Sequence, residues 1–100
     1  MTVAALPLTE VQWRRTVREA ASALGWRAGW TWLSIHSPSG FPDLVLVSAA
    51  RKRVIWAELK TEKGKVSEKQ QRWLDELRAA GQEAYVWRPS DWPEVQEVLR

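Results

Sequence analysis

The chain has 100 residues, which is enough for one domain with a single core. It contains no cysteine and one histidine, His36, which excludes disulfides, thiolate metal sites and multi-histidine metal sites. A bound metal would therefore depend mainly on carboxylate oxygens, the ligands of Mg²⁺, Mn²⁺ and Ca²⁺. The net charge of +3 suits a polyanion such as nucleic acid, but it is equally typical of ordinary surface charge. We find no apolar stretch of membrane-spanning length and no secretory signal, so we expect a cytoplasmic protein without membrane contact.

The first predicted element is a helix that begins after Thr9. Thr9 and Gln12 form a capping-box pattern, in which each side chain bonds a free backbone amide of the other residue. Gly25 is the expected C-terminal cap. The buried side of this helix is expected to consist of apolar residues at helical spacing: Val11, Val17, Ala20, Ala21 and Leu24.

Three strands are predicted next. Residues 30–36 are β-branched and aromatic, which favours a strand. Residues 44–47 form an apolar run typical of a buried strand, and residues 53–60 form the third strand. The four residues between the last two strands predict an antiparallel hairpin.

A second capping box, Ser67 with Gln70, predicts a helix that runs to about residue 80 and is closed by Gly81. A short strand over 84–87 follows. Ser90 or Asp91 then caps a last helix, with Pro93 in its first turn. The resulting order, α-β-β-β-α-β-α, predicts an α/β fold with a mixed β-sheet flanked by helices, in one domain over residues 1–100.

The predicted hairpin places two acidic residues face to face. If residues 49–52 form the turn, Ser48 lies opposite Arg53, and counting outward from that pair places Asp43 opposite Glu58. Their Cβ atoms would then be about 4.5–5.5 Å apart, unless a bulge changes the register. Facing carboxylates repel each other, and a divalent cation between them would offset that repulsion.

Lys60 follows Glu58 by two residues, so its side chain is expected on the same face of the sheet. Two carboxylates and an ammonium suit a metal-assisted reaction at a phosphate. Since the chain has no glycine-rich phosphate loop, hydrolysis of a phosphodiester fits better than nucleotide-driven phosphoryl transfer. The alternative is a strand that simply ends in solvated charges.

These residues resemble a known signature. Gly40-Phe41-Pro42-Asp43, a strand-length gap and Glu58-Leu59-Lys60 together look like the PD-(D/E)XK nuclease superfamily. Over residues 8–99 the chain resembles, more narrowly, the VRR-Nuc domain in its compact stand-alone form. The more specific string consists of Glu58-Leu59-Lys60, Gly64, Ser67, Gln70, Trp73-Leu74 and Trp87-Arg88-Pro89.

The resemblance implies a restriction-endonuclease-like αβββαβ core and a nuclease that depends on Mg²⁺ or Mn²⁺. It assigns Asp43, Glu58 and the Leu59 carbonyl to the metal, and Lys60 to catalysis. Glu10 would reach the metal directly or through water, although an acidic residue in a first helical turn also suits the helix dipole. Gln70 would contact the site or the scissile phosphate, but its place in the capping box explains it equally well.

The resemblance also implies action on branched DNA, Holliday junctions among the candidates. Symmetric cleavage of a junction needs two active sites, which predicts a homodimer. Apolar surface for its interface is expected from tryptophans near the ends of elements: Trp26, Trp30 and Trp92. The candidate DNA phosphate contacts are basic residues that could equally form a solvated face: Arg14, Arg15, Arg18, Lys63, Lys65, Lys69 and Arg72.

Two points remain open at this stage. The segment from residue 30 to residue 40 is shorter than in many members of the family, and His36 within it fits either a structural role or a place beside the site. A nucleic-acid-binding module that keeps the fold without catalysis is the alternative to a nuclease. The intact set of Asp43, Glu58 and Lys60 argues against that alternative, because a binding-only module gains nothing from acidic residues that face phosphates.

Overall fold

A computed structural model of the protein describes residues 8–30 and 38–100. Seven regular elements follow one another in the predicted order: α1 (Glu10–Ala23), β1 (Arg27–Trp30), β2 (Leu44–Ser48), β3 (Arg53–Leu59), α2 (Glu68–Ala79), β4 (Glu83–Trp87) and α3 (Trp92–Leu99). A short 3₁₀ helix, Pro89–Asp91, leads into α3.

The four strands form one mixed sheet in the order β1-β2-β3-β4. The first two pairings are antiparallel, and β2 and β3 are joined by a four-residue turn. Strands β3 and β4 are parallel because α2 carries the chain back between them. Within β2 and β3 the register is the expected one, from Ser48 opposite Arg53 to Leu44 opposite Ala57. The prediction of a mixed sheet flanked by helices is therefore confirmed.

The main core lies between α1, α3 and one face of the sheet. Alternate residues of β2 and β3 point into it, so each strand contributes side chains two residues apart. Its fully buried members come from both helices and both central strands: Trp13, Val17, Leu44, Leu46, Ile55, Ala57, Leu59, Val95 and Leu99. On the opposite face of the sheet, α2 buries Leu74 near Ala84 of β4.

The capping predictions are confirmed for both longer helices. Thr9 and Gln12 bond each other's backbone amides at the start of α1, and Ser67 and Gln70 do the same at the start of α2. Gly25 follows α1 with φ +90°, a conformation that glycine adopts without strain. Among the elements described here, no helix is long and apolar enough to cross a membrane.

Two local predictions were wrong. Val11 is 65% exposed and Leu24 is 42% exposed, although both were expected on the buried side of α1, because the buried stripe of the helix runs through positions 13, 17 and 21 and is anchored by Trp13. The first strand begins at Arg27 and not at residue 30, since pairing with β2 recruits the short Arg-Ala-Gly-Trp stretch that β propensity alone does not favour. The rest of the predicted strand and His36 lie outside the described residues.

The tryptophans expected at a dimer interface differ in exposure. Trp26 is buried, and its Nε1 donates to the Leu99 carbonyl over 2.8 Å. Trp92 is half-buried with its ring 5.9 Å from that of Trp13. Trp30 is 49% exposed and is the one member of the three that offers an aromatic surface.

Candidate active site

Asp43 and Glu58 meet at the end of the β2–β3 hairpin. Asp43 directly precedes β2, so it occupies the next position outward from the pair of Leu44 and Ala57. Its Oδ2 accepts the backbone N–H of Leu59 over 3.0 Å. That bond holds the Asp43 carboxylate beside Glu58, as the register predicts.

Glu58 is a buried carboxyl group, with only 2% of its surface exposed. Burial raises the pKa of Glu58 to about 8, and the neighbouring charge of Asp43 adds to the effect, while Lys60 opposes it. One oxygen, Oε2, is buried and has no hydrogen-bond partner among the described residues. A buried acceptor without a donor is costly, and a bound cation would relieve that cost.

The Gln70 side chain contacts both the start of α2 and Glu58. Its Oε1 accepts from the Ser67 backbone N–H over 2.8 Å and so completes the cap of α2. Its Nε2 donates to Glu58 Oε1 over 3.0 Å. The capping box therefore fixes the amide in the rotamer that holds Glu58, and the two interpretations are not alternatives.

Lys60 lies beside the acidic pair. Its Nζ is 3.8 Å from Glu58 Oε1, and the side chain is 16% exposed. Its backbone N–H donates to the Trp87 carbonyl, which also accepts the indole Nε1 of Trp13. The parallel strand β4 and helix α1 together therefore fix the backbone that carries Lys60.

The Gly-Phe-Pro-Asp turn is packed tightly against α2. Gly40 has φ +81°, and a Cβ at this position would lie 2.5 Å from the backbone carbon of Lys69. Phe41 inserts between two tryptophan rings, with centroids 5.9 Å from Trp56 and 5.1 Å from Trp73. This packing sets the position of Asp43 relative to the helix that carries Gln70.

Glu10 and Arg14 form a second polar pair next to the carboxylates. Arg14 Nη2 is 2.5 Å from Glu10 Oε1, one helical turn away. Burial lowers the pKa of Arg14, but the hydrogen bond to Glu10 and the charges of Asp43 and Glu58 outweigh it and raise that pKa. Glu10 in turn contributes to the raised pKa of Glu58, so α1 places one acid and one base within electrostatic range of the site.

Sequence reasoning assigned no role to Arg88. Its Nη1 donates to the carbonyls of Thr61 and Gly64, each over 2.6 Å. It thereby ties the loop that follows Lys60 to the end of β4. The Trp87-Arg88-Pro89 motif singled out this residue in the sequence. The contact of the Arg88 guanidinium with the loop after Lys60 is visible only in the folded chain.

The seven candidate phosphate contacts fall on two separate surfaces. Four of them, all exposed, lie on α2 or the loop before it: Lys63, Lys65, Lys69 and Arg72. Three lie on α1: Arg14, Arg15 and Arg18. The structure therefore does not join them into one continuous patch.

The residues present fit a divalent cation of the kind that oxygen ligands bind. Within residues 8–30 and 38–100 there is no cluster of three or more histidine or acidic side chains. Two adjacent carboxylates, one of them with an unpartnered buried oxygen, are nevertheless a suitable protein share for an ion that keeps several waters. The Leu59 carbonyl would add a third oxygen; the metal roles of Asp43, Glu58, Leu59 and Glu10 all stay predictions.

Fold and site together define a nuclease-fold domain, and the comparisons with known proteins agree. The family model of the VRR-NUC domain matches residues 4–91, so the chain belongs to the VRR-NUC domain family. A solved structure described as a VRR_NUC domain is similar with a TM-score of 0.74 and 25% identity, over 90% of this chain and 92% of that one.

A second solved structure, a VRR_NUC domain protein, has the same fold, with a TM-score of 0.73 and 18% identity. The alignment covers 94% of this chain and 87% of that one. A comparison with curated protein sequences finds no match. The expected family and fold are thus confirmed.

Proposed function

We propose that this protein is a metal-dependent endonuclease that hydrolyses phosphodiester bonds in branched DNA, with Holliday junctions as the leading substrate. The observation that carries the proposal is the buried Glu58 carboxyl group, held by Gln70 on one oxygen and unpartnered on the other, directly beside Asp43. A purely structural site would not leave such a group uncompensated.

Asp43 and Glu58 would hold Mg²⁺ or Mn²⁺, with the Leu59 carbonyl and, directly or through water, Glu10. When bound, the cation supplies Lewis-acid polarisation of the phosphate and a lower pKa for an attacking water. Gln70 keeps Glu58 Oε1 occupied, which leaves Oε2 available to the ion. The choice between the two metals rests on the family resemblance.

Lys60 is the proposed catalytic cation. Hydrolysis adds water to phosphorus and breaks the bond to the leaving sugar oxygen, and negative charge accumulates on the phosphoryl oxygens as it proceeds. An ammonium already 3.8 Å from the metal-binding carboxylate can stabilise that charge without moving far. Since Lys60 is only 16% exposed, water screens its charge weakly.

The basic residues on the α1 and α2 surfaces are the proposed contacts to DNA phosphates, and cleavage of both strands of a junction requires a homodimer with two sites. DNA as the substrate follows from the nuclease family. The preference for branched DNA is part of the proposal.

The test is cleavage of sequence-matched linear duplex, flap and four-way junction DNA in Mg²⁺ or Mn²⁺ and in EDTA. We expect junction cleavage that needs metal and is lost in Asp43→Ala. Asp75→Ala, which removes an exposed carboxylate from the surface of α2, is the matched control and should cut normally.

Cleavage of flaps or linear DNA instead would keep the chemistry and overturn the junction assignment. Tight binding of DNA with no cleavage in any metal would overturn the nuclease proposal and favour the catalytically silent binding module. Full activity of Asp43→Ala would remove the acidic pair from the mechanism.

A further inference from the structure

The arginines of this chain divide sharply by what they contact. Seven of the ten pair with an acidic side chain or donate to carbonyl oxygens: Arg14, Arg51, Arg53, Arg72, Arg78, Arg88 and Arg100. Arg15, Arg18 and Arg27 have no such partner within the described parts of the chain. All three line the same groove.

This groove, the α1/β1 groove, has a volume of about 610 Å³ and lies between the first helix and the edge strand of the sheet. Helix α1 contributes Arg15 and Arg18, and β1 contributes Arg27 and Trp30. Glu19 is the one acidic residue in its lining, so the groove carries a net positive charge. The Arg18 guanidinium carbon lies 4.4 Å from the centre of the half-exposed Trp30 ring, which holds that side chain over the groove.

The groove is built on elements that also border the candidate active site. Trp30 pairs with Leu44, the residue after Asp43, and Arg18 lies one helical turn beyond Arg14. Arg27, at the other end of β1, pairs with Val47. Three residue steps along a strand separate Trp30 from Arg27, a distance of about 10 Å.

We infer that the α1/β1 groove binds the phosphate backbone of one DNA strand. The bound strand would run along β1, away from the scissile phosphate. The inference rests on the proposed nuclease function and names the path of its substrate. One DNA strand carries one negative charge per nucleotide, so neighbouring phosphates of a strand are suited to a groove with several unpaired cations. The groove offers three unpaired guanidiniums, and guanidinium binds phosphate oxygens in pairs.

The other basic surface is less suited to this role. The cavity beside α2, about 370 Å³ in volume, is lined by Lys69, Arg72, Trp73 and Glu76. Arg72 is already 3.7 Å from Glu76 there, so a phosphate would compete with an acidic partner. In the α1/β1 groove, a phosphate that binds Arg15, Arg18 or Arg27 would not have to displace an acidic partner from the guanidinium.

The test is the salt dependence of DNA affinity, measured by fluorescence anisotropy on a labelled synthetic four-way junction in EDTA. Each phosphate contact contributes about 0.9 to the slope of log K against log salt. We expect the triple variant R15A/R18A/R27A to lower that slope by 2 to 3. Arg100→Ala, which removes an exposed arginine that pairs with Glu97 and lies outside both basic surfaces, is the matched control and should leave the slope within about 0.3 of wild type.

Two further variants separate a phosphate contact from a change in structure. Arg18→Lys keeps the charge and should restore most of the slope. In a double-mutant cycle, Trp30→Ala should weaken DNA binding several-fold when Arg18 is present. It should have almost no effect in the Arg18→Ala background, because the role assigned to Trp30 is to position the Arg18 guanidinium. If the triple variant does not fold by circular dichroism, the single variants of the exposed Arg15 and Arg27 carry the same test, each with a loss of about 0.9 in slope.

An unchanged slope in these variants, or an equal loss in Arg100→Ala, would overturn the groove assignment. Cleavage by the wild-type protein is measured separately with metal, so the two proposals fail independently. Metal-dependent cutting with an unchanged slope overturns only the strand path. A reduced slope without any cutting supports the groove and overturns the nuclease.

Discussion

Gln70 shows how one side chain can connect local structure to the site. Its oxygen caps α2 and its nitrogen holds the Glu58 carboxylate, so the helix start and the acidic pair are fixed by the same amide. Glutamate also satisfies the third position of a capping box, because its oxygen accepts the same backbone N–H. Gln70→Glu therefore keeps the cap and replaces the donor to Glu58 with a third carboxylate.

We expect Gln70→Glu to lower the free energy of unfolding of the metal-free protein by about 1–3 kcal/mol at pH 7, measured by urea denaturation. Gln12→Glu makes the same change in the capping box of α1, where the Gln12 side chain bonds only Thr9 among the described residues, and should change stability by less than about 0.5 kcal/mol. Equal effects of the two variants would mean that the bond from Gln70 to Glu58 contributes nothing.

The titration of Glu58 predicts how stability depends on pH. Burial and Asp43 raise its pKa from 4.5 in the unfolded chain to about 8 in the folded one. The folded state therefore retains a proton that the unfolded state releases, so the stabilisation is complete below pH 4.5 and is lost as pH rises toward 8. In EDTA, wild-type stability should fall between pH 5 and pH 8.5, by urea denaturation at several pH values.

Glu58→Gln should flatten this dependence and make the protein more stable than wild type at pH 8.5, since a neutral amide cannot lose the proton. The exposed Glu68, at the start of α2, provides the control: Glu68→Gln should keep the wild-type slope. A wild-type stability that does not change across this range would show that Glu58 is not held as a neutral acid.

At the scale of elements, the turn before β2 and the start of α2 act as one unit. Gly40 approaches the backbone of Lys69 and Gln70 so closely that no Cβ fits, and Phe41 is clamped by rings from β3 and α2. The position of Asp43, which follows this turn, therefore depends on the position of α2. Arg88 likewise ties the loop after Lys60 to the end of β4.

Gly40→Ala is expected to cost more than about 2 kcal/mol of stability and to reduce cleavage, because it combines a positive φ with a backbone clash. Gly81 has nearly the same φ, +83°, and nothing within 4 Å of an added Cβ. Gly81→Ala therefore isolates the conformational cost, about 1 kcal/mol. Thermal denaturation and junction cleavage of both variants give the comparison, and equal losses would show that the contact with α2 is unimportant.

At the scale of the whole molecule, the proposed chemistry on a junction calls for two copies of the chain. We expect sedimentation equilibrium at micromolar concentration to give twice the monomer mass. A chain that remains monomeric in the presence of junction DNA would contradict paired cleavage by a homodimer. Asp75→Ala, the control for cleavage, should leave the mass unchanged.

Much of the fold followed from local patterns in the sequence. Capping boxes at Thr9 and Ser67, glycines after two helices and apolar runs separated by a four-residue turn predicted the elements in their correct order, and the turn length alone predicted the register of β2 against β3. These signals are short-range, so they persist whatever the rest of the chain does. The same register predicted that Asp43 and Glu58 would meet.

The tertiary structure decided what surrounds that pair. The burial of Glu58, the unpartnered Oε2 and the bond from Gln70 depend on α2 packing over the sheet, and the burial of Trp13 depends on the packing of α1 against the core. The separation of the basic residues into two surfaces was decided in the same way, because the groove that joins Arg15 and Arg18 to Arg27 exists only where α1 lies against β1. Contacts between residues far apart in the chain leave no periodic trace in the sequence, which is why local reasoning reached the acidic pair but not its environment.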